Sequence, residues 1–130
     1  MTVAVLDAGV VIGWLVGRAR SLPRIQRLME AGRAGSATLV LSVVNLAEVL
    51  RHTKEAAHLT GTDIVQLIKT RGVRLHQPDE TVARAVALLP CSLADGFAVA
   101  TAQVIRGRLH TTDAELVAQL AGRRIPVTHY

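Results

Sequence analysis

Short apolar segments alternate with helix-forming segments along the whole chain, and this alternation constrains the fold more than any other feature. The segments with strand character are residues 3–6, 38–41, 73–75, 108–111 and, more weakly, 126–128. The segments with helical character are residues 8–16, 22–32, 46–58, 62–69, 80–88, 94–105 and 114–121. Strands that alternate with helices form βαβ crossovers, which produce a parallel sheet covered on both faces. The sequence therefore predicts a three-layer α/β/α fold around a mostly parallel five-stranded sheet.

The size of the chain suits one domain, residues 1–130, because 130 residues of which 50% are hydrophobic can bury one core. No apolar run reaches the roughly 18 residues of a membrane span. The N-terminus lacks the basic start and the cleavage site of a signal peptide. Cys91 is the only cysteine, which excludes an internal disulfide. We expect a cytoplasmic protein that does not contact a membrane.

The charge balance favours an anionic partner, since 15 Lys and Arg against 10 Asp and Glu leave a net charge of +5. Aromatic residues make up only 2% of the chain, so base stacking is disfavoured and phosphates are the expected target if nucleic acid binds. Basic residues cluster after the first predicted helix, at Arg18, Arg20, Arg24 and Arg27. They are candidates for guiding phosphates, and a solvated basic surface is the alternative.

Four acidic residues stand in otherwise apolar surroundings: Asp7, Glu48, Asp95 and Asp113. Asp7 follows the first predicted strand and Asp113 the fourth. The carboxyl ends of parallel strands share one edge of the sheet, and ligands bind in the crevice there. Glu48 and Asp95 reach this edge if their helices begin at it. The sequence therefore predicts that the four carboxylates converge.

Converging carboxylates without nearby cationic side chains repel one another, and a divalent cation relieves that repulsion. Carboxylate oxygens suit Mg²⁺ or Mn²⁺ rather than zinc. Each acid also has a purely structural interpretation. Asp7 and Asp113 are suitable helix caps. Glu48 has the spacing of a capping box opened by Asn45, and Asp95 suits the first turn of a helix. The shared edge favours a site over four separate caps.

The segments that carry these acids resemble a PIN domain, specifically the VapC-type toxin ribonuclease of a bacterial toxin–antitoxin pair. The resemblance rests on VLDAGVVIGWL, SVVNLAEVL, SLADGFAVATA and LHTTDAEL, in this order and spacing. It implies a PIN-like fold and an RNA-cleaving endonuclease whose acidic residues fall on Asp7, Glu48, Asp95 and Asp113. Thr111 matches a threonine that stands two places before the last acid.

For the reaction, the resemblance implies that Mg²⁺ or Mn²⁺ polarises a phosphodiester oxygen and lowers the pKa of a bound water that attacks in line. We expect Asp7 and Asp95 to bind the metal most directly and Glu48 to hold or deprotonate the water. Asp113 is expected to ligate a second ion or to act through water.

The resemblance also implies partners: an RNA substrate, a cognate antitoxin protein and a second copy of the chain in a homodimer. Trp14, Leu15, Ile25 and Leu28 are candidates for lining an antitoxin groove, and core packing is the alternative for them.

The sequence departs from the family pattern at Gly9, where Ser or Thr is common, and at Asn45, where Thr is common. We expect the missing hydroxyl at Gly9 to weaken metal binding and the Gly9→Ser substitution to improve it. A catalytically weakened PIN-fold module that binds RNA or protein is therefore the alternative function. A receiver-type signalling domain is disfavoured, because Asp7 has no acidic neighbour and no lysine occurs after Lys69.

Overall fold

The computed structural model describes residues 2–17 and 22–130. Within these residues the strands are β1 (Thr2–Leu6), β2 (Ala37–Ser42), β3 (Val73–His76), β4 (Arg108–Thr111) and β5 (Val127–His129). The helices are α1 (Ala8–Val16), α2 (Leu22–Ala34), α3 (Val43–Thr53), α4 (Ile64–Thr70), α5 (Glu80–Val86), α6 (Leu93–Val104) and α7 (Ala114–Gln119), and a 3₁₀ turn covers Ala57–Leu59. Each predicted strand and helix is present: α1 and β4 have the predicted bounds, and the other elements differ from theirs by one to five residues at an end.

The strands form one sheet in the order β3-β2-β1-β4-β5. All four strand pairs are parallel, and β1 lies in the centre, with Val5 opposite Val40 on one side and Leu109 on the other. From β1 the chain moves outward to β2 and β3, then crosses back to β4 and β5. The order of the strands therefore reverses between β1 and β4. The predicted parallel five-stranded sheet is confirmed.

Successive residues of the central strands face opposite layers of helices, as the two-residue period of a strand requires. Leu6 and Leu41 pack with buried residues of α1 to α4, whereas Val5 and Leu109 pack with buried residues of α6 and α7. Helix α5 packs onto α6 through Val82. The result is the predicted three-layer α/β/α arrangement.

Two of the displaced helix ends are the start of α3 and the end of α2. Helix α3 begins at Val43 rather than at residue 46, because the Ser42 hydroxyl caps it by accepting the Val44 N–H at 3.3 Å. Helix α2 continues past Gly32 to Ala34. Gly32 is an internal helix residue, and a Cβ there would lie 2.3 Å from Cδ1 of Leu39, so glycine at this position lets α2 lie close to the Leu39 side chain of β2.

Across residues 2–17 and 22–130, no helix combines the length and the apolar character that a membrane crossing requires.

Candidate active site at the carboxyl edge of the sheet

Asp7 lies directly after β1, at the point where the strand order reverses. Its backbone N–H donates to the carbonyl of His110 in β4 at 2.9 Å, which ties it to the neighbouring strand. In open α/β sheets the helices on either side of such a reversal diverge and leave a crevice at the carboxyl ends of the strands. The fold therefore places Asp7 at the position where this architecture binds ligands.

The Asp7 carboxylate is 4% exposed and is held by two hydrogen bonds. Oδ1 accepts the Ala8 N–H at 2.8 Å, which caps α1, and Oδ2 accepts the Thr111 hydroxyl at 2.8 Å. The pKa of Asp7 is raised from 3.8 to about 6, because burial and the charges of Asp95 and Glu48 outweigh the opposing effect of these hydrogen bonds. Asp7 is thus both a helix cap and a member of an acidic cluster, so the two interpretations are not exclusive.

Glu48 and Asp95 reach Asp7 from two helices that pack against each other. Asn45 of α3 links them, because its side-chain N–H donates to the carbonyl of Ala94 in α6 at 3.0 Å. Both Glu48 and Asp95 are half-buried, and both act electrostatically on Asp7. The structure therefore brings Asp7, Glu48 and Asp95 into one electrostatic cluster.

The capping-box interpretation of Glu48 is wrong. Ser42 caps α3, and Asn45 lies inside the helix with its side chain turned to Ala94. Asp95 does lie in the first turn of α6, but the cap of that helix is Ser92, whose hydroxyl accepts the Asp95 N–H at 3.3 Å. Neither acid is needed to cap a helix, which leaves both carboxylates available for other partners.

Asp113 is joined to the cluster only indirectly. Its Oδ1 caps α7 by accepting the N–H groups of Glu115 and Leu116 at 2.9 and 3.2 Å. Its own N–H donates to Thr111 Oγ1 at 3.0 Å, and the Thr111 hydroxyl in turn donates to Asp7. Asp113 is not among the charges that raise the pKa of Asp7. The structure thus assigns Asp113 a capping role and leaves its predicted metal role a prediction.

The donor atoms of the cluster suit a hard divalent cation. Glu48 Oε1 and Asn45 Oδ1 are buried acceptors without a hydrogen-bonding partner. Such acceptors are costly unless a donor or a cation satisfies them. In the part of the chain that the structure describes, the ion pairs are Arg33–Glu30 and Arg84–Glu80, and neither involves the cluster. Oxygen donors, uncompensated charge and unsatisfied acceptors fit Mg²⁺ or Mn²⁺.

The side chains are not arranged as a finished coordination sphere. Within residues 2–17 and 22–130, no group of three acidic, histidine or cysteine side chains is placed to hold one ion. Each Asp7 oxygen keeps a second lone pair beyond its hydrogen bond, so Asp7 can still act as a ligand.

Gly9 lies in the first turn of α1 and contacts the turn after β4. A Cβ built on Gly9 would lie 2.3 Å from Oγ1 of Thr112. The Thr112 hydroxyl therefore occupies the space in which a side chain at position 9 would begin. The expected benefit of Gly9→Ser requires that this hydroxyl first move away.

A cavity of about 330 Å³ opens beside the cluster, between α3 and the start of α6. Its lining includes Glu48, Arg51, His52 and Ala94. Neither Arg51 nor His52 is among the residues predicted from the sequence, although both follow Glu48 at helical spacings of three and four residues, which place them on its face. A larger cavity of about 450 Å³ lies at the opposite edge of the sheet, beside Thr2 and Arg108, far from the acids.

The other predicted contact residues have mixed outcomes. Arg24 lies 4.6 Å above the Tyr130 ring and donates to the carbonyl of His129, so it holds the C-terminus. Arg27 is exposed, whereas Arg18 and Arg20 lie outside the described residues. Leu15 and Ile25 are buried in the core and cannot line an open groove, while Trp14 and Leu28 are partly buried against that core.

Fold and site together define an α/β/α domain with an acidic cluster at the reversal of its strand order. No protein-family model and no curated protein matches the sequence. Solved structures do match over the full chain. A toxin–antitoxin complex from Klebsiella pneumoniae is 19% identical with a TM-score of 0.72, covering 100% of this chain and 98% of that one.

Two further solved structures have the same fold. VapBC2 from Rickettsia felis, bound to a DNA fragment from its promoter, is 12% identical with a TM-score of 0.73 and 98% coverage of both chains. FitAcB from Neisseria gonorrhoeae is 18% identical with a TM-score of 0.67, covering 98% of this chain and 97% of that one. The chain therefore has the PIN-like fold of these structures, and the resemblance found in the sequence is confirmed at the level of the fold.

Proposed function

We propose that the protein is the toxin of a toxin–antitoxin pair and acts as a divalent-metal-dependent endoribonuclease. The observation that carries this proposal is the cluster of Asp7, Glu48 and Asp95 at the strand-order reversal. Burial and the two neighbouring charges raise the pKa of Asp7 to about 6. Carboxylates held together against their repulsion are typical of a site that binds a cation.

Asp7 and Asp95 would hold Mg²⁺ or Mn²⁺, with Glu48 beside them. When bound, the ion would stabilise charge on the phosphodiester and lower the pKa of a water molecule. Thr111 holds Oδ2 of Asp7 and so orients the carboxylate. Glu48 has a buried, unpartnered oxygen that can accept a proton from the attacking water. Arg51, beside Glu48 in the adjoining cavity, is suited to bind an RNA phosphate.

Three partners follow from this proposal. RNA is the substrate, and the net charge of +5 favours its approach. A cognate antitoxin is the protein partner, in line with the toxin–antitoxin complexes that share the fold. A homodimer is the expected assembly, which light scattering of the purified protein tests directly.

The proposal is tested by incubating purified protein with a mixed RNA pool and Mn²⁺ or Mg²⁺. Asp7→Asn and Asp95→Asn should each slow cleavage by about tenfold to a hundredfold, the loss that is typical when a metal site is disturbed. Asp79→Asn is the matched control, because Asp79 caps α5 and is exposed. Cleavage by both site variants at the wild-type rate would disprove the assignment of the site.

A non-catalytic PIN-fold module that binds RNA or protein is the second candidate. The observation that favours it is the lack of a finished three-ligand arrangement among the described residues. Titration with Mn²⁺ distinguishes the two functions. A nuclease should bind Mn²⁺ through Asp7, whereas a binding module should retain its affinity for RNA or protein in Asp7→Asn.

A further inference from the structure

The Thr112 hydroxyl lies against the backbone of Gly9. A Cβ on Gly9 would be 2.3 Å from Thr112 Oγ1 but 3.7 Å from Thr112 Cβ. The first distance is a severe overlap and the second an ordinary van der Waals contact. The hydroxyl oxygen alone therefore fills the space beside Gly9, and any residue with a Cβ at position 9 would displace it.

Both sides of this contact belong to segments that build the acidic cluster. Gly9 follows Asp7 by two residues in the first turn of α1. Thr112 lies between Thr111, which donates to Asp7, and Asp113, which caps α7. The Thr112 hydroxyl is thus located where the start of α1 meets the turn after β4, at the reversal of the strand order.

The hydrogen-bonding capacities of the two adjacent threonines differ. The Thr111 hydroxyl donates to Asp7 and accepts from the Asp113 N–H, so it is committed to the protein. No hydrogen bond joins the half-buried Thr112 hydroxyl to another residue within 2–17 and 22–130. A hydroxyl can donate one hydrogen bond and accept two. The Thr112 hydroxyl can therefore hydrogen-bond a ligand or water without breaking a bond to the protein.

We propose that Thr112 is a positioning residue of the cation site, and that Gly9 is required to admit its hydroxyl. The hydroxyl hydrogen-bonds the hydration shell of the bound divalent cation and so helps to orient that shell. This inference rests on the proposed function. Gly9 is then a residue that makes room for a hydroxyl rather than one that lacks it, because Thr112 supplies the hydroxyl from the facing turn.

The inference predicts that side-chain hydroxyl groups at positions 9 and 112 cannot be accommodated together. A double variant that moves the hydroxyl from position 112 to position 9 tests this. Thr112→Ala removes the oxygen at 2.3 Å and keeps the Cβ at 3.7 Å, so the double variant Gly9→Ser/Thr112→Ala has room for the new side chain. The variants to compare are Thr112→Ala, Thr112→Ser, Gly9→Ser and the double variant. The readouts are the dissociation constant for Mn²⁺, measured by electron paramagnetic resonance, and the melting temperature in EDTA.

Thr112→Ala should weaken Mn²⁺ binding about tenfold, as expected for a hydrogen-bonding partner outside the direct ligands. Thr112→Ser should bind Mn²⁺ within about twofold of wild type, because it keeps the hydroxyl. Gly9→Ser alone should lower the melting temperature. The double variant should regain both the melting temperature and most of the Mn²⁺ affinity.

The inference is overturned if Thr112→Ala binds Mn²⁺ as tightly as wild type, or if the double variant binds no better than Thr112→Ala. Asp7→Asn separates this result from a failure of the proposed function. If Asp7→Asn loses Mn²⁺ binding while Thr112→Ala keeps it, only the role of Thr112 is refuted. If Asp7→Asn also keeps it, the cation site itself is wrong.

Discussion

Asp7→Asn should make the metal-free protein more stable at neutral and alkaline pH while it removes the proposed cation ligand. Asparagine is close to aspartate in size and is an equally good N-cap, so the bond from the Ala8 N–H to the side-chain oxygen is retained. The amide can donate to Thr111 Oγ1 in place of the bond that Oδ2 now accepts. The substitution therefore removes a buried charge, while the Thr111 hydroxyl loses the acceptor it now has, so the gain in stability is at most that of removing the charge.

The magnitude follows from the raised pKa of Asp7. Folding raises this pKa from 3.8 to about 6, so the folded state holds the proton more tightly than the unfolded state. The associated stability is fully present below pH 3.8 and is lost as the pH rises through 6. One pKa unit corresponds to 1.36 kcal/mol, so ionised Asp7 destabilises the fold by about 3 kcal/mol at pH 8. Asparagine avoids this cost at every pH.

Urea unfolding in EDTA at pH 4 and pH 8, followed by the fluorescence of Trp14, measures the effect. Asp7→Asn should exceed wild type by up to about 3 kcal/mol at pH 8 and by less than about 1 kcal/mol at pH 4. Asp79→Asn is the control, because it exchanges an exposed cap and should change stability by less than about 0.5 kcal/mol at both pH values. An Asp7→Asn protein no more stable than wild type at pH 8, or equally more stable at both pH values, would refute the reasoning.

Three further predictions concern the pKa values of Asp7 and His110. Thr111→Val should raise the pKa of Asp7 by about one to two pH units in a carbon-13 NMR titration, because a hydrogen bond to a charged group contributes about 1.5–3 kcal/mol, whereas Thr111→Ser should not. Asp95→Asn and Glu48→Gln should each lower that pKa, Asp95→Asn by more, and the reverse order would contradict the placement of these acids. Burial and the nearby charges of Arg108 and Arg24 lower the pKa of His110 from 6.5 to about 4, so stability should fall by about 3 kcal/mol as the pH drops from 6.5 to 4. Urea unfolding of Asp7→Asn should show this loss, and adding His110→Gln should abolish it.

The fold was predictable because its signals are local. Apolar strands and amphipathic helices alternate in the sequence, and each one predicts an element of the sheet or of its covering layers. The errors lie at helix ends. Helix α2 passes through Gly32, which packs against Leu39 of β2, a contact that no local pattern reveals. Helix α3 begins early because Ser42, rather than Asn45, caps it.

The sequence marked three acids that lie near one another in the structure, and their membership of a cation site stays a prediction. The apolar surroundings of Asp7, Glu48 and Asp95 marked them, and their mutual electrostatic effect agrees with that choice. Asp113 has the same sequence character, yet its Oδ1 is occupied by the first turn of α7. Spacing in a sequence does not distinguish a carboxylate that caps a helix from one that faces a crevice, because both follow a strand and precede a helix.

The sequence by itself determined the parallel α/β/α architecture, the shared edge for Asp7 and Asp113, and the unusual glycine at position 9. These follow from periodicity and topology, which depend only on the order of residues. The tertiary structure alone decided that Thr111 holds Asp7 and that the Thr112 hydroxyl fills the space beside Gly9. These two contacts join residues about a hundred positions apart, and their distances are set by how α1 packs beside the turn after β4.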